Sequence, residues 1–197
     1  MSLSPFGRLV LSRASVRHYE ERDIPDADIL AMVEAARRAP SAENAQPWRF
    51  VAVKSPAARE ALSRASFSGI FSPTRFAARA PLIVALCAER TGLIEAGKSI
   101  KDRAMYQLDC GIAGEHLVLQ AAELGLGTCW IGWFNRRAAR RALGVPWHVQ
   151  VVSLIAVGYP RADAAPQRRA RNPLSSMLWL DSWGKSFPGA ESYGEEK

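Results

Sequence analysis

A sheet of buried strands covered by helices, in one α/β or α+β domain, is the fold class this sequence predicts, and three observations predict it. At 197 residues the chain is long enough for one domain with a sizeable core and short for two. PLIVALCA (81–88) and QVVSLIAVGYP (150–160) are apolar throughout, the pattern of strands covered on both faces. Between such runs lie segments with the 3.6-residue period of helices, so helices and strands alternate.

In chain order, PFGRLVLSR (5–13) predicts a first short helix. PDADILAMVEAARRAP predicts a second, with Asp26 placed to cap it and Ile29, Val33 and Ala36 on its apolar face. Pro40 ends it, because the residue before a proline is pushed out of helical geometry. WRFVAVK (48–54) is β-branched and aromatic enough for a strand, and SPAAREALSRA reads as a helix starting at Ser55 with Pro56 in its first turn. Residues 66–79 hold three phenylalanines, Gly69 and Pro73 without a clean period, which predicts a loop or a short broken helix. The longest helix runs from about Lys101 to Leu124 and stops at Gly125. Leu108, Ile112, Leu119 and Ala122 are its expected core positions, while Gly111 and Gly114 leave room for a neighbouring helix. GTCWIGW (127–133) is a further strand, and Asn135 caps RRAARRAL, which Gly144 and Pro146 terminate.

The composition, 48% hydrophobic and 23% charged, is that of an ordinary soluble globular protein. The balance of 26 Lys and Arg against 19 Asp and Glu gives a formal charge of +7, a surplus suited to nucleic acid, a membrane surface or an anionic small molecule. Its distribution narrows the choice. Arginines cluster at 13 and 17, at 136, 137, 140 and 141, and at 168, 169 and 171, and none of these clusters is interleaved with aromatics that stack bases. The first and third suit an anionic cofactor, and the second a solvated helix face. A basic nucleic-acid binder is the competing reading, and it predicts a colourless protein with steeply salt-dependent DNA affinity. Cys87, Cys110 and Cys129 each sit in an apolar run with no CxxC spacing, so three reduced, buried thiols are expected and no metal site. MSLSPFGRLVLSRAS lacks the apolar core of a signal peptide and no stretch is long enough to span a bilayer, so a cytoplasmic protein is expected.

Three segments carry candidate chemistry. In SRASVRHY (12–19) two arginines four apart, with a serine between them, can grip one extended anion, since guanidinium forks match phosphate oxygens bidentately. The plain alternative is a surface helix end with scattered charge. In APSAENAQPWRF (39–50) the amides of Asn44 and Gln46 can both donate to and accept from the edge of a heterocycle. An ordinary helix-to-strand turn would use the same residue types, although P-S-x-x-N-x-Q-P-W is unusually particular for one. In ELGLGTCWIGWF (123–134) glycines 125, 127 and 132 let a flat ring approach the backbone, whereas a capped helix feeding a core strand is the bland reading. VGYP (157–160) and RRARNPL (168–174) follow. His18, His116 and His148 have bland explanations, and no acid–base residue is nominated.

SRASVR, APSAENAQPW about twenty-five residues on, a long helix into GLGTCWIG, then GYP and RRARNPL: from about Leu9 to Leu174 this order and spacing resembles the nitroreductase family of FMN-dependent oxidoreductases. The resemblance implies an α+β fold whose central sheet is mixed, mostly antiparallel, and covered by helices on both faces. It implies one domain over 1–187, with 188–197 a flexible tail. Arg13, Ser15 and the intervening Ala14 match the FMN phosphate site, although Ala14 stands where the family often has a basic residue or histidine. Arg17 matches the cation near flavin N1. Pro40, Ser41, Asn44 and Gln46 match a segment that reaches the flavin across a dimer interface. Ile131 and Gly132 fall where the backbone approaches flavin N5, and Arg169 with Arg171 match a second phosphate clamp. The function so implied is hydride transfer from NADH or NADPH through FMN to a small acceptor, a nitroaromatic or quinone, in a ping-pong cycle. The absence of a G-x-G-x-x-G strand–helix unit is consistent, since nicotinamide would then dock on the flavin itself. Other flavin chemistry on the same fold (dehalogenation, enone reduction, oxidation of a peptide-bound ring) and a non-catalytic FMN carrier are the alternatives. Residues 64–79, where selectivity usually lies in that family, have no secure equivalents. Trp179, Trp183 and Phe187 put so much apolar surface on the tail that packing against a second subunit is expected.

Overall fold

The structure, a computed structural model, describes residues 4–89, 102–164 and 170–191. The chain divides into two compact units, residues 1–166 and 167–197.

The first unit is built on a four-stranded sheet. Its strands are β1 (Trp48–Val53), β2 (Leu82–Glu89), β3 (Gly127–Ile131) and β4 (Val149–Gly158), in the order β1-β2-β4-β3. Every pairing of these strands is antiparallel, and the parallel component among the described residues is one bridge, Ser15 with Thr128. Helices cover both faces, and the apolar runs explain why. In β2, Leu82, Val84, Leu86 and Ala88 point into one core and Ile83, Ala85 and Cys87 into the other. The first core is closed by α2 (Asp26–Arg37) and the long α4 (Asp102–Glu123), through Met32, Ala36, Cys110, Ala113 and Leu117. The second is closed by α3 (Pro56–Ser66) and α5 (Arg136–Ala142), through Leu62 and Ala139.

Most elements lie where the sequence puts them. The first helix, α1, spans Pro5–Ser12. Ser55 caps α3 and Asn135 caps α5, each accepting a backbone N–H three residues on. Gly125, at φ +75°, ends α4, with the Leu126 amide bonded back to Ala121. The expected start of that helix at Lys101 lies outside the described residues.

Four expectations need correction. Asp26 does not cap α2: it is the first helical residue, Pro25 precedes it as a cap without a side-chain bond, and the carboxylate pairs with Lys54 at 2.7 Å. The buried face of α4 is Tyr106, Cys110, Ala113, Leu117, Val118 and Ala121. Leu108, Ile112, Leu119 and Ala122 fall on the opposite side of the helix, Leu108 exposed and the other three half-buried, because α4 turns the face with small residues at 110, 113 and 121 to the sheet. Gly114 makes room for the indole of Trp130 on β3, not for another helix, and Gly111 faces open space. Residues 69–79, finally, form a continuous 3-10 stretch with Pro73 inside it.

In the second unit, Leu174–Ser176 makes one 3-10 turn, and Trp179 bridges to Ser186 across a turn with Asp181 at φ +60°. The rings of Trp179 and Trp183 lie 3.9 Å apart, yet Trp183 remains 85% exposed.

Candidate functional site

Residues 13–17 leave α1 as extended chain and run beside β3. Arg13 ends the helix in β geometry, Ser15 bridges to Thr128, and the Val16 amide donates to the Thr128 carbonyl at 2.9 Å. This docking is what requires Gly127: a Cβ there would sit 2.5 Å from Val16 Cγ2. Gly127 thus serves the close approach of two backbones, not of a ring as its position suggests. Val16 turns inward, while Ser15 and Arg17 face outward and Arg13 is half-exposed. Neither arginine meets a carboxylate among the described residues, and Arg17 reaches only the Ser15 carbonyl, at 3.4 Å, and the Phe76 ring, 5.7 Å from its centroid. Both arginines act on Cys129, opposing the rise in its pKa that burial imposes. Tyr19, whose hydroxyl donates to the Val16 carbonyl at 2.6 Å, is pushed far up by burial, so it remains a neutral phenol and adds no negative charge to the strip.

At the far end of β3, Ile131 is buried and Gly132 is exposed, with open space where a side chain would stand. The Gly132 amide has no acceptor among the described residues. Its carbonyl is held by Arg136, which also donates to the carbonyl of Val152 at 3.3 Å. Val152 is the residue that slips out of register at the bulge opposite Leu86 and Cys87, so Arg136 satisfies a carbonyl in the interrupted ladder. One member of the second arginine cluster is therefore structural. Arg137 and Arg141 are exposed, as a solvated face requires, and Arg140 is half-buried.

The turn before β1 has a different construction. Glu43, Asn44 and Gln46 all adopt positive φ, at 51°, 55° and 45°, which costs on the order of 1 kcal/mol each for residues with a Cβ. Ser41 supports the turn from within, its hydroxyl accepting from the Gln46 amide at 3.0 Å. The Gln46 side chain donates to the Asn44 carbonyl, and Arg49 returns to the Gln46 carbonyl while pairing with Glu89. From outside, Asp109 on α4, only 4% exposed, accepts from the Ala42 amide at 3.2 Å. Pro40 and Asn44 are exposed, and the Asn44 carboxamide makes no hydrogen bond among the described residues.

Arg171 is exposed in the second unit, and Arg169 lies outside the described residues. His18 is exposed, His116 lies 3.3 Å from the Ala35 carbonyl, and His148 meets Trp147 edge-on, all three in unremarkable surroundings. The cysteines are free and buried, with burial pushing Cys87 up to about 11 and Cys110 up to about 12. No group of acids, histidines and cysteines among the described residues could hold a metal.

One chain does not bring the two motifs together. Ser15 stands at the level of Val157 on β4, and Trp48 at the level of Gln150, on opposite edges of the sheet. Seven residues along the strands and four strand spacings across them put roughly 30 Å between the motifs. The roles of Asp109 and Arg136 were not visible in the sequence. Asp109 alone left a signal, as a lone carboxylate in the apolar run LDCGIA.

Comparison with known proteins decides the family. The sequence pattern described as the nitroreductase family matches residues 10–159. The chain belongs to the nitroreductase family. A candidate NADH dehydrogenase/NAD(P)H nitroreductase of Archaeoglobus fulgidus is 34% identical over 160 residues, covering 79% of this chain and 86% of that one. An NADH dehydrogenase of Thermus thermophilus is 30% identical, covering 86% and 93%. The crystal structure of a nitroreductase family protein from Clostridium novyi NT superposes with a TM-score of 0.71 at 28% identity, over 93% of this chain and 97% of that one. This nitroreductase-family chain is therefore an oxidoreductase with the α+β fold of its relatives, and no helix among its described residues is long and apolar enough to cross a membrane.

Proposed function

We propose that this protein is an FMN-dependent oxidoreductase that moves hydride from NADH or NADPH to a small acceptor, such as a nitroaromatic or quinone, by a ping-pong cycle. The observation that carries the reading is a single strand, β3. It is flanked at one end by Arg13, Ser15 and Arg17, with no acid among the described residues to neutralise them, and followed at the other by the exposed Gly132, with open space where a side chain would stand. Four residues of strand separate Thr128 from Gly132, roughly 13 Å, a span one mononucleotide can bridge. Arg13 and Ser15 would hold the phosphate, with Ala14 spacing them and Arg169 and Arg171 as a second clamp. Arg17 would place its charge near the pyrimidine edge of the ring, and Ile131 and Gly132 would present backbone to the redox edge. Bound in this way, FMN supplies a centre that takes hydride from one partner and gives it to the next.

The work left to the protein is placement and electrostatics. Arg17, held near the ring, favours negative charge there without any proton moving. Pro40, Ser41, Asn44 and Gln46 belong to the same site only through a second copy of the chain, and the separation of roughly 30 Å within one chain supports that reading. The proposed assembly is a homodimer with two sites at its interface. The single domain over 1–187 and its short tail are part of the same proposal, with Trp179, Trp183 and Phe187 packed on the partner.

The absorption spectrum of the purified protein tests this. Flavin bands that bleach on anaerobic addition of NADH or NADPH, and return on adding a quinone, are expected. A protein that takes up no FMN, or one that is yellow but unbleached, overturns it.

A further inference from the structure

Beyond Arg17 the chain leaves β3 and passes from the end of β4 toward the start of β2. Tyr19 bridges to Pro160, the Glu20 amide donates to the Tyr159 carbonyl at 2.9 Å, and the Arg161 amide donates to the His18 carbonyl at 3.2 Å. The crossing is tight: a Cβ on Gly158 would sit 2.6 Å from Pro81 and 2.8 Å from Tyr19. Beside it opens a cavity of about 870 Å³, a size suited to a small molecule. Four separate parts of the chain each bring one arginine to its lining: Arg22 from the crossing segment, Arg59 from α3, Arg79 from the end of the 3-10 stretch and Arg161 from the chain after β4. Three of them are held in place. Arg59 donates to the carbonyls of Lys54 at 3.0 Å and Ala80 at 2.8 Å, Arg22 lies 3.8 Å from the centroid of the Tyr159 ring, and Arg161 pairs with Asp163. Arg79 is exposed and makes no hydrogen bond or ion pair among the described residues. Glu20, Glu21 and Asp23 line the same cavity, yet none forms an ion pair with any of the four among the described residues. Guanidinium groups gathered in this way repel one another, and a phosphate relieves the repulsion through bidentate bonds.

We propose that this cavity binds a small phosphate ester with free hydroxyls, a sugar phosphate in chemical class, at a site separate from the one beside β3. The arginines fork the phosphate, and the three carboxylates, which take no part in holding those arginines, accept from the hydroxyls. A bare ion would leave most of the hollow unfilled and the carboxylates unused. A long polyanion such as nucleic acid would meet Glu20, Glu21 and Asp23 with like charge, so the same acids that favour a polyol exclude a polymer. The inference stands apart from the flavin reading, and neither needs the other.

Calorimetric titration of the full chain with glucose 6-phosphate, inorganic phosphate and glucose, each with and without excess FMN, tests this. Glucose 6-phosphate should bind about tenfold tighter than inorganic phosphate, and glucose should give no measurable heat. Arg22→Ala and Arg79→Ala should each weaken glucose 6-phosphate about tenfold or more, the loss of one charged hydrogen-bond donor. Arg137→Ala, which removes an exposed arginine on α5 away from the cavity, should stay within about twofold and so separates a site from net charge. The thermal midpoint of these variants should not move by more than a degree or two. Glu20→Ala, Glu21→Ala and Asp23→Ala combined should make glucose 6-phosphate and inorganic phosphate bind alike. The proposal is overturned by a wild type that gives no heat with glucose 6-phosphate, or that binds inorganic phosphate as tightly. An equal loss in all three single arginine variants overturns it as well. Displacement of glucose 6-phosphate by FMN would merge the cavity with the flavin site and sink its independence, whereas a protein that binds the sugar phosphate but no FMN breaks the flavin reading alone.

Discussion

Residues 13–17 and residues 41–46 are the two segments proposed to meet the cofactor, and they are held in place by opposite means. The first segment is extended chain laid on β3 by one backbone bond and a glycine, with Arg17 facing outward, Arg13 half-exposed and neither matched by an acid among the described residues. The second is folded on itself, with three residues in left-handed geometry and almost every polar group engaged by its own turn, by Arg49 or by Asp109. One holds charge in readiness and the other holds shape. Losses in the first segment should therefore appear in ligand affinity at nearly constant stability, and losses in the second in stability and geometry before affinity.

The largest effect expected from this contrast is on flavin retention. Arg13→Ala combined with Arg171→Ala removes two charged hydrogen-bond donors, each worth about 1.5–3 kcal/mol, so FMN affinity should fall on the order of a hundredfold or more. Fluorescence titration of the apoprotein measures it, with the thermal midpoint unchanged within a degree or two. If Arg13→Ala alone equals the double variant, Arg171 has no part in the clamp. If neither moves, the strip is ordinary surface charge.

Gly127→Ala attacks the backbone that carries the strip. A Cβ there collides with the branched end of Val16, so the variant should lose about 1–3 kcal/mol of stability in chemical denaturation. It should also loosen FMN, since Arg13 and Arg17 would shift with Val16. Asp109→Ala is the matching cut on the other side. Leaving the Ala42 amide without its acceptor should cost about 1–3 kcal/mol. Hydrogen exchange at Ala42 should then quicken even without flavin, while Asp109→Asn, which keeps an acceptor oxygen, should restore most of the protection. Fast exchange in both variants would mean that the turn depends on the charge and not on the bond.

The same contrast explains what could be read without coordinates. The strands were legible because 81–88 and 150–158 are buried on both faces and so cannot be other than apolar. The caps at Ser55 and Asn135 and the stop at Gly125 are local chemistry, decided within four residues, and these also read correctly. Asp26 failed because a carboxylate at a helix start can serve the helix or a distant lysine, and Lys54 is far away in sequence. Leu108 failed because the long helix carries apolar residues on two faces, and periodicity alone does not say which of them meets the sheet. In the site, the residue types at 13–17 and 41–46 were visible, but not what restrains them. Asp109 and Arg136 act across 67 and 16 residues, and no window of sequence contains such a bond.

The smallest expected effect concerns the cysteines, which belong to neither motif. Cys87 and Cys110 are wholly buried, and desolvation raises their pKa to about 11 and about 12 from an ordinary value near 9. The folded chain therefore keeps these protons to higher pH than the unfolded chain does. By linkage, the contribution to stability is complete below about pH 9 and declines as pH climbs toward 11 and beyond, where the unfolded state alone gains from ionising. Midpoints of urea unfolding measured from pH 7 to pH 11 should fall over the upper part of that range. Cys87→Ala should flatten the decline at a small cost in packing, and thiol reagents at pH 8 should label the native protein slowly at all three positions. Rapid labelling of one cysteine would show that its strand or helix opens, and Cys129 is the one to watch, because it lies on β3 between the Arg13–Arg17 segment and Gly132.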